Sequence, residues 1–370
     1  MSVLNNATTN LISKLQIKTL QTVPPSRVTD PRPTRQVCVT DPIGSEIFRR
    51  SLNVILNYNN AMEEVSGWVV AGWMKESLGI ALTQQPILCG RLRRGEDGHG
   101  ELEIVANDSG AKLLEAQVPM TLQQFLDLKD KSDTEYKLVF WNHIDEQYPQ
   151  FSPLFYVQVT NFECGGYSVG ISCSILLADI LIMGNFLKTW AKIHIDLMSR
   201  NGVTKKPIFY FSNHKEVESV PTRLISSNQS KNCGLTMIFK IATENLNLDK
   251  ESCETLAVVS IEKAKLMMGT KMDPEFSLFV KESPKFLKIE SCLKNEIVTS
   301  KMSIKYHDQL SSANWDELKE IAFHERNITP SHVSYWIQSM SGGIVMVFPS
   351  PLKDSTEVNM IVTIPNENQM

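Results

Sequence analysis

The strongest apolar pattern in the chain runs from Asn161 to Trp190. Tyr167–Ser174 is a run of β-type residues with Gly165 and Gly166 at its head, and the pattern breaks at Ile175–Asp179. Phe186, Leu187 and Trp190 then recur at the spacing of one helical face. This predicts a buried strand, a tight loop and an amphipathic helix. One acid, Asp179, stands in the loop among residues that otherwise read as core. A carboxylate buried there needs a charged or hydrogen-bonding partner, because burial without one is too costly.

The remaining elements are read in the same way. Leu11–Thr19 alternates and predicts a first strand, and Val23–Arg35, with four prolines, predicts an extended surface connection. Glu64–Leu82 predicts a core helix, closed before Pro86. Glu101–Ala106 and Lys112–Val118 flank the turn residues Asn107-Asp108-Ser109-Gly110, a strand, turn and strand. Thr121 caps a short helix to Leu128, and Phe155–Phe162 is a strand. Ser199–Asn232 turns polar and reads as a crossover, dividing the chain into 1–200, a linker at 201–232, and 233–370. Beyond it we expect a strand at Thr236–Ile241 and a helix at Asn247–Met268 with Asp249 near its start. Further on come a strand at Met302–Asp308, a helix at Trp315–Phe323, and a closing strand pair at Ile344–Phe348 and Val358–Ile364.

Composition narrows the function classes. The chain has 370 residues, 42% hydrophobic and 21% charged, enough for two cores. A net charge of -4 offers no electrostatic reason for nucleic acid or an acidic membrane as partner. Seven cysteines without a Cys-x-x-Cys pair point to reduced thiols and a cytoplasmic protein. The N-terminal residues carry no signal-peptide pattern. Val169–Met183 is too short for the roughly 20 residues of a spanning helix and is interrupted by Asp179, so no membrane span is expected. No metal-ligand cluster, phosphate loop or Ser-His-Asp order appears.

Ser172-Cys173-Ser174-Ile175-Leu176-Leu177-Ala178-Asp179, followed by Phe186-Leu187-Lys188-Thr189-Trp190-Ala191, resembles the central motif of the plant BAHD acyltransferases. That motif reads His-x-x-x-Asp-Gly, then Phe-Leu-x-x-Trp-Ala. Pro86-Ile87-Leu88-Cys89-Gly90-Arg91-Leu92 and Cys164-Gly165-Gly166 also resemble family features. The frame extends to about Ala191, while the family's Asp-Phe-Gly-Trp-Gly loop has no counterpart in Trp336–Phe348. Gly343–Pro349 and Phe151–Leu154 resemble instead the eceriferum-type subgroup of plant wax synthesis, whose members are thought to assist fatty-acyl elongation. The resemblance implies two chloramphenicol-acetyltransferase-like α/β domains, each a mixed sheet with packed helices, and a channel at their interface. Acyl-CoA is the ligand or co-substrate it implies, and a fatty-acid elongase component the kind of partner, reached at the endoplasmic reticulum.

In the family the motif His takes the acceptor's proton, and the Asp, paired with an Arg, holds the loop. Here the His position falls on Ile175 and the Gly position on Ile180. Isoleucine has no proton to exchange, and losing a general base costs about 10²–10⁴ in rate. No catalytic residue is therefore assigned. Asp179 is the structural motif residue, its Arg partner unassigned, and Ser174, Ile175 and Ile180 are the channel candidates. Cys173 has no basic neighbour to activate a thiolate and reads as structural. The histidines are scattered, and the Trp73, Trp190, Trp336 and Met267-Met268 positions read as core. Three functions fit: an accessory or regulatory protein on an acyltransferase frame, an active acyl-CoA-dependent O- or N-acyltransferase with another base, or an enzyme of another class such as an intramolecular lyase.

Overall fold

The computed structural model describes residues 11–40, 46–59, 67–95, 101–129, 131–201, 207, 234–242, 249–269, 275–294, 297, 306, 309–324, 328–338, 342–349 and 357–365. Fifteen strands are described, β1 (Gln16–Val23), β2 (Thr34–Thr40), β3 (Ser51–Tyr58), β4 (Arg91–Arg94), β5 (Leu102–Val105), β6 (Ala111–Val118), β7 (Phe155–Phe162), β8 (Tyr167–Ser174), β9 (Leu235–Ala242), β10 (Glu275–Ser283), β11 (Phe286–Leu293), β12 (Ser311–Ala313), β13 (His332–Ile337), β14 (Gly343–Pro349) and β15 (Glu357–Ile364). The three long helices are α1 (Gly67–Gln84), α2 (Phe186–Asn201) and α3 (Lys250–Met268).

The strands form two mixed sheets, as the α/β expectation required. One has six strands in the order β1-β6-β7-β8-β3-β13, the other nine in the order β12-β9-β15-β14-β10-β11-β2-β5-β4. Alternation along each strand decides which neighbour it faces. In β14, Ile344, Met346 and Phe348 join the large core that also holds Val54, Leu56 and Trp190. Val345 and Val347 point the other way, into a second core with Leu256 and Ile261 of α3. The nine-stranded sheet is thus covered on both faces, which is why its central strands are apolar at consecutive positions.

The strands do not sort by the segments 1–200 and 233–370. β2, β4 and β5 come from the first half of the chain yet complete the nine-stranded sheet, and β13 from the second half pairs with β3 at the edge of the six-stranded one. Residues 202–206 and 208–233 of the polar crossover lie outside the described residues.

Several expectations need correction. The first strand begins at Gln16, because Leu11–Leu15 is wound into a turn in which Lys14 N donates to Leu11 O and Leu15 N to Ile12 O. The stretch 101–118 is no hairpin. β5 pairs with β2 and β4, whereas β6 pairs with β1 and β7. Its turn, with Asp108 at φ 57° and Gly110 at φ 83°, hands the chain from one sheet to the other. Of the expected strand Met302–Asp308 only Tyr306 is described, and it is helical. The last expected helix is a single 3-10 stretch, Asp316–Glu320. Met267 is 52% exposed in the final turn of α3, two residues before the left-handed cap Gly269.

Other features agree with the sequence pattern. Thr121 caps its helix with a full capping box to Gln124, and Asp249 caps α3 through Ser252 N. β14 and β15 pair antiparallel, and Trp73, Trp190 and Trp336 are buried.

Candidate functional site

The loop that follows β8 is built from its own sequence. The Ser174 hydroxyl accepts from Leu176 N at 3.4 Å, and Ser174 N donates to Leu154 O. This starts a 3-10 turn, Ile175–Leu177, that continues as a short helix, Ala178–Met183. Gly184 ends it, its N–H bonded to Ile180 O, and Asn185 at φ 52° reverses the chain into α2. On α2, Phe186, Leu187 and Trp190 are buried against the large core, as their spacing required.

Asp179 is 2% exposed and fully partnered. Arg35 donates to both its oxygens, Nη1 to Oδ1 at 2.6 Å and Nη2 to Oδ2 at 3.1 Å. Lys281 Nζ approaches Oδ2 at 2.6 Å. Burial alone pushes the Asp179 carboxyl up, but Arg35 and Lys281 together outweigh it and hold the group below the usual carboxylate range. Arg35 also donates to Leu176 O at 3.1 Å and to Pro284 O at 3.2 Å. One guanidinium therefore fixes the loop, the acid and the β10–β11 turn at once. Arg35 belongs to the stretch read as a surface connection, and the structure corrects this. It is 5% exposed on β2, sharing strand parity with the buried Val37. That parity was the available signal, masked by the prolines before it.

Ile175 is 1% exposed, and its N–H donates to Arg50 O at 3.2 Å. Ser174 is fully buried. Of the three channel candidates Ile180 lines a cavity about 400 Å³ in volume, together with Asp179, Met183, Arg35 and Lys281, and Ser174 and Ile175 do not line it. Arg50, which sequence reading passed over, is entirely buried next to the loop. It pairs with Glu46 and donates to Ser277 Oγ on β10 at 3.1 Å, a second polar tie between the sheets. Burial lowers its pKa, against the opposing effect of Glu46.

Cys173 is fully buried, and its thiol is pushed well above its ordinary value by burial first and by Asp179 next. It is a neutral thiol, unsuited to nucleophilic attack. His194 is buried on α2, its Nδ1 3.1 Å from Ser77 Oγ, which also accepts from Trp190 Nε1 at 2.9 Å. Burial, with His324 adding to it, lowers its pKa to about 3. His332 contacts Glu135 and Lys131. His99, His214 and His307 lie outside the described residues. Among the described residues no three His, Cys, Asp or Glu side chains converge to hold a metal ion, and no helix is long and apolar enough to cross a membrane.

The loop thus holds an acid behind the β8–helix turn, clamped by an Arg from the other sheet. The model of the Transferase family matches residues 13–263, and the chain belongs to that family, the BAHD acyltransferases. Among curated relatives it is similar to Protein ECERIFERUM 26-like of Arabidopsis thaliana, 30% identical over 172 residues, which cover 43% of this chain and 39% of that protein. It is also similar to hydroxycinnamoyl-CoA:piscidic acid hydroxycinnamoyltransferase of Actaea racemosa, 36% identical over 121 residues, 33% of this chain and 26% of that one. The chain thus aligns with less than half the length of these relatives. Among solved structures, vinorine synthase has a TM-score of 0.49 at 12% identity, covering 96% of both chains.

Proposed function

We propose that this chain is an accessory member of its family that handles acyl chains without imidazole-driven transfer. The observation that carries the reading is Ile175. It occupies the motif position of the proton-accepting His, it has no titratable group, and it is sealed in the core at 1% exposure. Neither Cys173 nor His194, among the described residues, makes good the loss. The thiol of Cys173 is held protonated, and His194 is bound to Ser77. Asp179 keeps its loop-holding role through Arg35, so the frame is retained where the base is not.

Similarity to Protein ECERIFERUM 26-like and Protein ECERIFERUM 2 supports a place in very-long-chain acyl-lipid and wax synthesis. In this reading the chain works in the cytoplasm and meets a fatty-acid elongase component at the endoplasmic reticulum, with acyl-CoA as the ligand. The second reading is an active acyl-CoA-dependent acyltransferase with a different base, favoured by the likeness to a relative named for hydroxycinnamoyl-CoA.

Calorimetric titration with short, aromatic and very-long-chain acyl-CoAs, with released CoA assayed in the same samples, separates the two. Binding without acceptor-dependent CoA release is the expected result. Release that depends on an acceptor overturns it in favour of the enzyme.

A further inference from the structure

The cavity beside Asp179 is distinct in its lining from the motif position, since neither Ile175 nor Ser174 contributes to it. Its wall is apolar where Ile87, Ile180 and Met183 meet Pro86 and Pro284. Three cations line it, Arg35, Lys281 and Lys285, against one carboxylate, Asp179. That carboxylate already has both oxygens engaged, so the lining holds an excess of two positive charges. Lys285 sits at the turn between β10 and β11, exposed, and among the described residues its ammonium makes no ion pair. A second hollow of about 520 Å³ shares Pro33, Thr34, Pro86 and Lys285 with the first and adds Arg27, Arg32 and the acid Asp30.

We infer that this cavity is a binding site for an amphipathic organic anion, its apolar body against Ile180 and Met183 and its single anionic head at Lys285 and Lys281. The argument is one of complementarity. About 400 Å³ lies in the ~300–1,000 Å³ range of small-molecule sites. A wall of Pro, Ile and Met side chains offers a polar ligand nothing, and the net positive charge of the lining, with the Lys285 ammonium exposed beside it, favours negative charge. Lys281 is preorganised by Asp179, so it loses little freedom on binding, while the exposed Lys285, without an ion pair among the described residues, closes over the head. A carboxylate and a phosphate monoester share this chemistry. The inference holds whether or not the chain transfers acyl groups, and its probes contain no CoA.

The test is calorimetric titration of the full chain with decanoate, decyl phosphate and decanol, repeated on Lys285→Glu and Met183→Trp. Both anions, or one of them, should bind while decanol binds about tenfold more weakly or not at all, and the tighter anion identifies the head group. Lys285→Glu, an exposed change that leaves the core alone, should weaken the anion about tenfold or more, and Met183→Trp should abolish binding by filling the cavity. Equal binding of decanol, anion binding indifferent to Lys285→Glu, or no binding by any probe overturns the assignment.

Discussion

Arg35 on β2 and Asp179 in the loop after β8 lie 144 residues apart in sequence and form a two-pronged ion pair across the two sheets, at 2.6 and 3.1 Å. Because both partners are almost wholly buried, the pair locks geometry more than it adds net stability. Removing one side strands the other. Asp179→Ala leaves Arg35 and Lys281 uncompensated and is expected to cost about 3–5 kcal/mol, read by equilibrium urea unfolding. Arg35→Met combined with Asp179→Leu should cost clearly less than the two single changes added together. A loss below about 1 kcal/mol for Asp179→Ala would show that the clamp is dispensable.

The acid response follows from His194. In the folded chain it stays neutral down to about pH 3, whereas in the unfolded chain it protonates near its ordinary value of about 6.5. Between these values the unfolded state binds the extra proton. Stability contributed by the neutral ring is complete above about pH 6.5 and falls as pH drops towards 3, by up to about 1.4 kcal/mol per pH unit. Asp179, whose folded pKa is depressed, adds a further loss only below the unfolded carboxylate value of about 4. His194→Gln should flatten the pH 6.5–4 limb of the stability profile, and a profile identical to wild type would refute this assignment.

Restoring the motif imidazole should not restore chemistry. Ile175→His places a polar ring in a position 1% exposed. A destabilisation of about 1–3 kcal/mol is expected, with acceptor-dependent CoA release still at background. Turnover rising above background in that variant would mean the site is open and lacks only its base.

Gly170 on β8 tests how tightly the central sheet is packed. A methyl group there would meet Leu138 O at 1.9 Å and Leu138 C at 2.9 Å, so the backbone of 138 must move. Gly170→Ala is expected to cost at least about 1–3 kcal/mol in chemical denaturation, despite raising strand propensity.

Local pattern revealed much of the frame. The apolar run, the broken loop and the helical recurrence of Phe186, Leu187 and Trp190 located the motif, and cap chemistry located Thr121. Strand pairing was less visible. The turn at Asn107–Gly110 has hairpin composition, yet its flanking strands enter different sheets, because pairing is decided by partners distant in sequence. β3 escaped notice since Ser51–Tyr58 is buried on both faces and its polar residues break the alternation that reveals a strand. The clamp of Asp179 was legible as a need but not as a partner. Prolines drew Arg35 into a surface reading, and Lys281 is one of many lysines with nothing local to distinguish it.

The exchange of strands has a consequence for how the chain can be divided. A break in the polar crossover would leave β2, β4 and β5 without the sheet they complete, and would take β13 from the edge of β3. Arg35 and Asp179 would stay together while Lys281 departed. Neither half is a transplantable module. Fragments should regain structure only when mixed, and a graft of one half onto another protein should carry an exposed, unpaired sheet edge with it.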